Sequence, residues 1–380
     1  MKRRLHNARV LTGSGFERGI GVLIEGDRIV SVAAENDLAA ADVEPHDLRG
    51  AYLVPGFIDC QVNGGGDVLF NDAPSVESIS RIARAHRRFG TTGLLPTLIS
   101  SDIGTMRAAI DAVDRAIEDG VPGVLGIHLE GPFLAAARKG VHDAEVFRAP
   151  SREEIELACS LERGRTLMTL APECVPVEVI RELGARGVIV CIGHTAADHS
   201  QTRAALDAGA RGFTHLFNAM TPMGSREPGV VGAALEDSAS WCGVIVDGFH
   251  VHPAALRVAL SAKPRGKVFL VTDAMPPVGG TNTRFELGDR TIECRGGRCA
   301  TPDGTLAGSA LDMATAIRNT MRMAGEPLME AVRMASAYPA DFLRLDDYGR
   351  IAPGCRADFA VLDDDLQVLE TWIGGERFAG

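Results

Sequence analysis

Long apolar runs are missing from this sequence of 380 residues. No window approaches the roughly 18 apolar residues that a membrane-spanning helix requires. The first residues, MKRRLHNARVLTGSG, also lack the apolar stretch of a signal peptide. We therefore expect a cytoplasmic protein.

A positive net charge is missing as well, since the formal charge is -11 at pH 7. Nucleic acids and anionic membranes are polyanions, and a net-acidic surface opposes non-specific attraction to either. We expect neither as a partner. An anionic small molecule would need a local basic pocket.

The eight cysteines include no CxxC pair. Their scatter favours reduced core or loop residues over a disulfide framework or a zinc ribbon. Cys294 and Cys299 lie close together in a predicted hairpin, but a zinc site there would need further ligands nearby. We expect this pair to be reduced like the others.

The two ends of the chain have a similar pattern of short β-type runs separated by turns. We expect residues 1–53 and 348–380 to pair into one small β-sandwich domain. The hydrophobic content of 46% supports a large enzyme-sized core for residues 54–347, and a β-hairpin is predicted as an insertion near 281–306.

Eight apolar β-type runs alternate with helical segments in the central part of the chain, a pattern that indicates repeated βα units around a parallel sheet. Eight is the number that closes a barrel. The sequence therefore predicts an α/β protein with a (β/α)8 TIM-like barrel. The runs are YLVPGFIDCQV, TGLLPTLIS, GVLGIHLEG, TLMTLAPE, GVIVCIGHT, GFTHLFNA, CGVIVDGFH and KVFLVTDAM.

Polar residues follow or end most of these runs, where such barrels build their active sites. Glu130, His194 and His215 come from runs three, five and six and would converge on one side of the barrel mouth. A carboxylate with two imidazoles suits a divalent ion of borderline softness such as zinc. Three protein ligands would leave a position open for catalytic water. The full set at the strand ends is Asp59, Gln61, His128, Glu130, His194, His215, Asn218, Asp247, His250 and Asp273.

Asp273, in the last run, would lie beside that ion. A bound divalent metal lowers the pKa of water from 15.7 to about 7 in favourable sites. A neighbouring carboxylate can then take the proton and return it to a leaving amine. The alternative for this residue is a structural or helix-capping aspartate.

These residues stand in segments that resemble the amidohydrolase superfamily and, within it, the N-acetylglucosamine-6-phosphate deacetylases along nearly the whole chain. Any one segment alone would be a weak signal, whereas together they are specific. The segments are PGFIDCQVNG (55–64), HLEGPF (128–133), KGVHD (139–143), IGHT (192–195), THLFNAM (214–220), REPGVVG (226–232), VDGFHV (246–251), VTDAM (271–275) and GTLAGS (304–309).

The resemblance implies hydrolysis of the acetamide of N-acetylglucosamine 6-phosphate to glucosamine 6-phosphate and acetate by metal-bound hydroxide. Glu130, His194 and His215 would hold one divalent ion per subunit, with Zn²⁺ favoured and Fe²⁺, Mn²⁺ or Co²⁺ as alternatives. Asp273 would be the general base and acid, and His142 would polarise the acetamide carbonyl.

The resemblance also implies the contacts to the substrate. Arg226 would reach the phosphate across a homodimer interface, as an arginine can with its planar fork of donors. A solvated loop charge is the alternative for this residue. The complete implied set is Val141, His142, Asn218, the Ala219 backbone, Arg226, His250, Leu306, Ala307 and Gly308.

One departure from the wider superfamily bears on the metal count. Many members carry His-x-His at the end of strand one and bind a second metal, whereas this chain has Asp59, Cys60 and Gln61 there. The resemblance therefore implies a one-metal site, with Gln61 near the vacant second position. It also weighs against dihydroorotase-like or urease-like chemistry.

Two other functions stay open at this point. An N-acetylgalactosamine-6-phosphate deacetylase would differ only at the sugar C4 configuration, which the motifs do not distinguish. A non-catalytic scaffold on the same fold would be expected to have lost its ligands, and this chain retains them.

Overall fold

The computed structural model describes residues 2–39 and 42–379. Its largest sheet has eight parallel strands that follow one another in chain order. All eight apolar runs found in the sequence supply a strand, so the predicted (β/α)8 barrel is confirmed. The barrel strands are Phe57–Val62, Thr91–Ile99, Gly126–Glu130, Arg165–Leu170, Ile189–Ile192, Gly212–Phe213, Trp241–Val244 and Val268–Leu270.

The barrel closes between its first and last strands. Val62 forms a parallel bridge with Ala274, and the Asp273 amide donates to the Gln61 carbonyl at 3.0 Å. Below this bridge, the Asp59 carboxylate accepts the Thr272 hydroxyl at 2.5 Å and the Thr272 amide at 3.2 Å. Burial raises the pKa of Asp59 to about 7. Asp59 thus joins the two strands instead of facing the barrel mouth.

Two of the helices that surround the barrel begin with serine caps. Ser75 caps one helix by accepting from the Ser78 amide, and Ser151 with Glu154 forms a complete capping box. In the described part of the chain, no helix combines the length and the apolar character needed to cross a membrane. The α-helices are Val76–Arg87, Ile103–Glu118, Arg152–Ala158, Val177–Ala185, His199–Asp207, Gly229–Glu236, Pro253–Ala262, Met313–Ala324, Leu328–Ala335 and Ala337–Leu343, and the 3-10 turns are Glu35–Leu38, Phe70–Asp72, Ala136–Arg138, Ala144–Val146 and Pro172–Cys174.

Two further sheets come from the chain ends and share a core separate from that of the barrel. Leu5 and Val22 from one sheet pack with Leu53, Phe359 and Trp372 from the other, which makes a β-sandwich. In spatial order, one sheet contains Arg28–Ala34, Ile20–Glu25, Lys2–His6 and Glu44–Asp47, and the other contains Glu376–Ala379, Val368–Ile373, Phe359–Leu362, Tyr52–Pro55, Arg9–Leu11 and Phe16–Glu17.

The run YLVPGFIDCQV is divided between the two domains. Tyr52–Pro55 pairs in the sandwich with Phe359–Leu362, whereas Phe57–Val62 opens the barrel. Continuous apolar character does not reveal this division, because both halves are buried.

The segment after the last barrel strand forms a four-stranded antiparallel sheet beside the barrel mouth. Cys294 and Cys299 lie opposite each other in its central pair of strands and form a disulfide. The expectation of reduced thiols is wrong for this pair, because the hairpin register makes the two residues direct neighbours. The strands are Arg284–Leu287, Arg290–Arg295, Arg298–Ala300 and Leu306–Ser309, and a two-stranded ribbon, Gly64–Gly65 with Val68–Leu69, lies after the first barrel strand.

The closure of the barrel can be tested with Thr272→Val. This change removes the hydroxyl donor of a fully buried carboxylate, so we expect the free energy of unfolding to fall by about 1–3 kcal/mol. Thr320→Val is the matched control, because Thr320 is equally buried but its hydroxyl bonds the Ala316 carbonyl of its own helix. Equal losses for both variants in denaturant titrations would contradict a special role for the Asp59 contact.

Candidate active site

A cavity of about 380 Å³ opens at the carboxyl ends of the barrel strands. Helical loops and the antiparallel insertion complete its wall. The residues that line it are Asn63, Ile99, Glu130, Ala137, Arg138, Gly140, Val141, His142, His194, His215, Asn218, Ala219, His250, Asp273, Met275, Thr305, Leu306 and Gly308.

Three buried ligand-type groups meet on one side of this cavity. Glu130 ends the third barrel strand, and His194 and His215 each follow the end of a strand by two residues. His215 Nε2 lies 3.1 Å from Glu130 Oε1 and 3.0 Å from His194 Nε2, and His194 Nε2 lies 3.3 Å from the same carboxylate oxygen. The three atoms form a nearly equilateral triangle.

The backbone at these strand ends takes an unusual conformation. His194, His215 and Asp273 have φ angles of 49°, 33° and 52°, in the left-handed region that residues other than glycine seldom occupy. Such conformations cost free energy and persist where the surrounding structure enforces them, often at functional sites. The turn at each residue directs its side chain into the cavity instead of along the barrel wall.

The triangle fits a divalent cation. His194 Nδ1 lies 2.9 Å from the Arg138 carbonyl, which can only accept, so Nδ1 carries the hydrogen and Nε2 presents a bare lone pair. This is the arrangement expected of a metal-bound histidine. Ligands about 2.0–2.2 Å from a tetrahedral zinc are roughly 3.3 Å apart, close to the spacing seen here. Burial favours the neutral carboxyl, but His194 and His215 hold the pKa of Glu130 well below its ordinary value.

Asp273 lies at the edge of the same cavity, where it is buried and one of its carboxylate oxygens accepts hydrogen bonds. Asn63 Nδ2 and Gln61 Nε2 both donate to Asp273 Oδ1, at 2.6 and 3.2 Å. Oδ2 accepts no bond from any described residue and is therefore the oxygen available for proton transfer. Burial, together with the negative charge of Glu130, raises the pKa of Asp273 to about 6. A carboxyl group poised in this way can both take and return a proton near neutral pH.

His142 stands on the other side of the cavity, with its ring 4.4 Å from that of His194. Its Nδ1 atom lies 2.8 Å from the Ser100 hydroxyl. Burial and the neighbouring His194 lower the pKa of His142 to about 3. The imidazole is therefore neutral and suited to donate a hydrogen bond without carrying a charge.

The outer part of the cavity contains His250 and Asn218. His250 Nδ1 lies 2.6 Å from Asp247 Oδ2, and despite burial this contact holds the pKa of Asp247 below its ordinary value. A carboxylate on Nδ1 orients the ring and leaves Nε2 for a ligand. Asn218 and Ala219 continue the cavity wall after His215, and Ala219 has a φ of 51°.

Six of the residues singled out in the sequence do not line the cavity of the single chain: Asp59, Gln61, His128, Asp247, Arg226 and Ala307. Arg226 is exposed on the loop before the helix Gly229–Glu236. Ala307 is fully buried between Leu306 and Gly308, which do line the cavity. Gln61 lies beneath the floor, where its Nε2 donates to Glu130 at 3.1 Å as well as to Asp273.

His128 also points away from the cavity. Its ring lies 3.3 Å from the Thr97 hydroxyl and 2.8 Å from the Thr169 hydroxyl inside the barrel. Burial lowers its pKa to about 4. It is a bonded core histidine rather than a fourth ligand.

Sequence reasoning missed Asn63, Ser100 and Arg138. Asn63 follows the first barrel strand, and Ser100 ends the second apolar run, so the strand-end rule that found Asp273 could have found both. Arg138 lies in a 3-10 turn, and no periodic pattern marks it. Its carbonyl accepts from His194, and the residue lines the cavity.

The model of the Amidohydrolase family matches residues 52–378. The chain belongs to the amidohydrolase family. A curated relative from Shewanella sp. (strain ANA-3), named N-acetylgalactosamine-6-phosphate deacetylase, is 46% identical over 88% of this chain and 85% of its own length. A Haemophilus influenzae relative, named N-acetylglucosamine-6-phosphate deacetylase, is 34% identical over 99% of both chains.

Solved structures show the same likeness for this amidohydrolase. The crystal structure of N-acetylglucosamine-6-phosphate deacetylase from Pasteurella multocida superposes with a TM-score of 0.96. The two sequences are 34% identical, and the match covers 100% of each chain. The resemblance inferred from the sequence motifs is therefore confirmed at the level of the family.

The metal-binding role of the triangle is testable by elemental analysis. Glu130→Gln removes the negative charge that draws the cation, so we expect the purified variant to retain less than about a tenth of the metal bound by the unaltered chain. Glu330→Gln is the control, since Glu330 is equally buried but bonds Tyr338 and Arg265. If both variants keep full metal content, the cation is held elsewhere.

Proposed function

We propose that this amidohydrolase removes the acetyl group from an N-acetylated amino-sugar 6-phosphate. The favoured substrate is N-acetylglucosamine 6-phosphate, and the products are glucosamine 6-phosphate and acetate. The observation that carries the proposal is the convergence, in one cavity, of a three-ligand cluster, a buried aspartate with one free oxygen and a neutral imidazole.

Glu130, His194 and His215 would hold one divalent ion per chain, with Zn²⁺ favoured and Fe²⁺, Mn²⁺ or Co²⁺ as alternatives. When bound, such an ion supplies a hydroxide nucleophile at neutral pH and withdraws charge from the acetamide oxygen. One ion is proposed because Asp59 is committed to Thr272 and Gln61 offers an amide in place of an imidazole.

Asp273 is proposed to carry the proton. Its free Oδ2 takes the proton of the attacking water, and the same oxygen then gives it to the amide nitrogen, which leaves as an amine. The raised pKa suits both halves of this cycle. It makes the carboxylate a stronger base toward the attacking water, and it keeps the resulting carboxyl protonated until the nitrogen can take the proton.

His142 is proposed to stabilise the charge that develops on the acetamide oxygen. A neutral imidazole N–H aimed at that oxygen strengthens its bond as the carbonyl becomes tetrahedral. Since the low pKa keeps the ring uncharged, His142 is not expected to compete with Asp273 as a proton carrier.

The outer cavity is proposed to bind the phosphate and the sugar. Asn218, the Ala219 backbone and His250 would hold the phosphate end, while Val141, Leu306 and Gly308 would surround the ring and Ala307 would support them from beneath. A chain of net charge -11 needs such local donors to retain a phosphate.

Arg226 is proposed to complete the phosphate site from a second copy of the chain. Its exposure on a loop outside the cavity supports an arginine that acts in a neighbouring site. Met223, on the same loop, is 65% exposed, and an interface would cover this apolar side chain. The proposed assembly is a homodimer.

N-acetylgalactosamine 6-phosphate is the second candidate substrate. The observation in its favour is the 46% identity to the Shewanella relative, against 34% to the Haemophilus relative. The two sugars differ only at C4, so the reacting groups proposed above would serve either one.

The substrate is tested by acetate release from four compounds, the two epimeric N-acetylhexosamines with and without the 6-phosphate. We expect both unphosphorylated sugars to react far more slowly, with N-acetylglucosamine 6-phosphate the best of the four. Loss of a charge-assisted contact in Arg226→Ala should lower kcat/KM for the phosphorylated sugar by about tenfold to a hundredfold.

A preference for the galacto epimer would replace the favoured substrate with the second candidate. An undiminished phosphate preference in Arg226→Ala would remove that arginine from the site. Mixing Arg226→Ala with Asp273→Asn subunits should restore activity if the arginine acts across an interface.

The proton-transfer role is tested with Asp273→Asn. Asparagine keeps the shape but cannot accept or return a proton, so we expect kcat to fall by about 10⁴-fold or more while metal content stays near that of the unaltered chain. Asp358→Asn, a buried aspartate of the sandwich, should keep its activity. Retention of more than about a tenth of kcat by Asp273→Asn would assign the base to another residue.

A further inference from the structure

Ser100 contacts His142 through two groups. Its hydroxyl oxygen lies 2.8 Å from His142 Nδ1, and its backbone amide points at the same nitrogen from 3.4 Å. Ser100 directly follows the second barrel strand, Thr91–Ile99. The contact therefore joins the end of a barrel strand to the loop that carries His142.

The backbone amide decides the direction of the bond. An amide N–H can only donate, so the nitrogen that it faces presents a lone pair and carries no hydrogen. The serine hydroxyl rotates freely and can donate to the same lone pair. With Nδ1 accepting both, the hydrogen of the neutral ring resides on Nε2.

We propose that Ser100 is a positioning residue that holds His142 in the Nε2–H tautomer, so that the imidazole donates to the acetamide oxygen of the substrate. The inference rests on the proposed function for the identity of that acceptor. In the opposite tautomer Nε2 would present a lone pair, which repels a carbonyl oxygen that is gaining negative charge.

The surroundings of Ser100 hold its hydroxyl beside His142. Asn71 clamps the end of the strand, because its side chain accepts from the Ile99 amide and donates to the Ile99 carbonyl, both at 3.0 Å. On the other side, a Cβ at Gly131 would come within 2.3 Å of the Ser100 hydroxyl oxygen. The hydroxyl thus occupies a close-fitting space that a glycine leaves open.

A competing arrangement exists and predicts the reverse tautomer. The Ser100 hydroxyl also lies 3.4 Å from the Glu130 carbonyl, and if it donated there it could accept from a protonated Nδ1. The 3.4 Å to the Glu130 carbonyl exceeds the usual length of an O–H···O bond, which disfavours this second arrangement. The backbone amide, which cannot reverse its role, also favours the first arrangement.

The tautomer is measured directly by NMR of the zinc-loaded protein labelled with ¹⁵N-histidine, with His142→Gln used to assign the ring signals. We expect Nδ1 to show the ¹⁵N chemical shift of an unprotonated nitrogen and Nε2 to show that of a protonated nitrogen. The reverse pattern would overturn the proposal. This readout needs no turnover, so it stands even if the proposed substrate is wrong.

Kinetics separates positioning from a structural role. For Ser100→Ala we expect kcat to fall about fivefold to thirtyfold, the effect of one lost hydrogen bond, with little change in KM. Ser100→Thr restores the hydroxyl and should recover most of the rate. Ser101→Ala is the control, because the Ser101 hydroxyl bonds Asn71 instead.

The proposal fails if Ser100→Ala keeps kcat within twofold, if it loses metal or thermal stability in step with activity, or if Ser101→Ala has the same effect. Acetate release by the unaltered chain tests the proposed function separately. A failure of the Ser100 variants alone would leave that function standing.

Discussion

Three lone-pair groups are held within 3.3 Å of one another in the wall of the barrel. Two imidazole nitrogens and a carboxylate oxygen repel one another at this distance unless a proton or a cation lies among them. Because His194 Nδ1 donates its hydrogen to the Arg138 carbonyl, Nε2 of the same neutral ring presents a lone pair to the triangle. The rest of the site, with its left-handed strand ends and buried carboxyls, is arranged around this triangle.

The amide of Gln61 occupies a central place beside the triangle. It donates both to Glu130 and to Asp273, so a neutral group lies between two carboxyls that would otherwise repel each other. The resemblance described in the sequence implies two imidazoles on this strand in the superfamily members that bind a second metal. Here the amide supplies hydrogen-bond donors where a second cation would supply charge, and this difference supports the one-metal proposal.

The fold and the metal-type cluster could be predicted from the sequence because both depend on patterns that sequence preserves. Eight apolar runs specify the barrel, and polar residues at strand ends specify where its mouth lies. Glu130, His194 and His215 come from three different strands and were found by that rule alone. His128 satisfies the same rule, but it lies two residues before Glu130 on the same face of its strand and therefore one layer deeper in the barrel, where it contacts the Thr97 and Thr169 hydroxyls.

Other features depend on geometry that no pattern records. The positive φ angles of His194, His215 and Asp273 depend on the packing around each strand end. Histidine and aspartate occupy this region more often than most residues, but that tolerance does not mark which of them do so. The disulfide between Cys294 and Cys299 depends on the register of a hairpin, and spacing alone does not fix that register. Ser100 contacts His142 across 42 residues of sequence, so only the folded chain brings the pair together.

We propose that the triangle of Glu130, His194 and His215 binds a single catalytic cation. The most direct measurement is an anomalous difference map at the zinc absorption edge, from crystals grown with zinc. We expect one strong peak per chain, about 2.0–2.2 Å from Glu130 Oε1, His194 Nε2 and His215 Nε2. A second peak of equal height beside Asp59 or Gln61, or no peak at the triangle, would contradict the proposal.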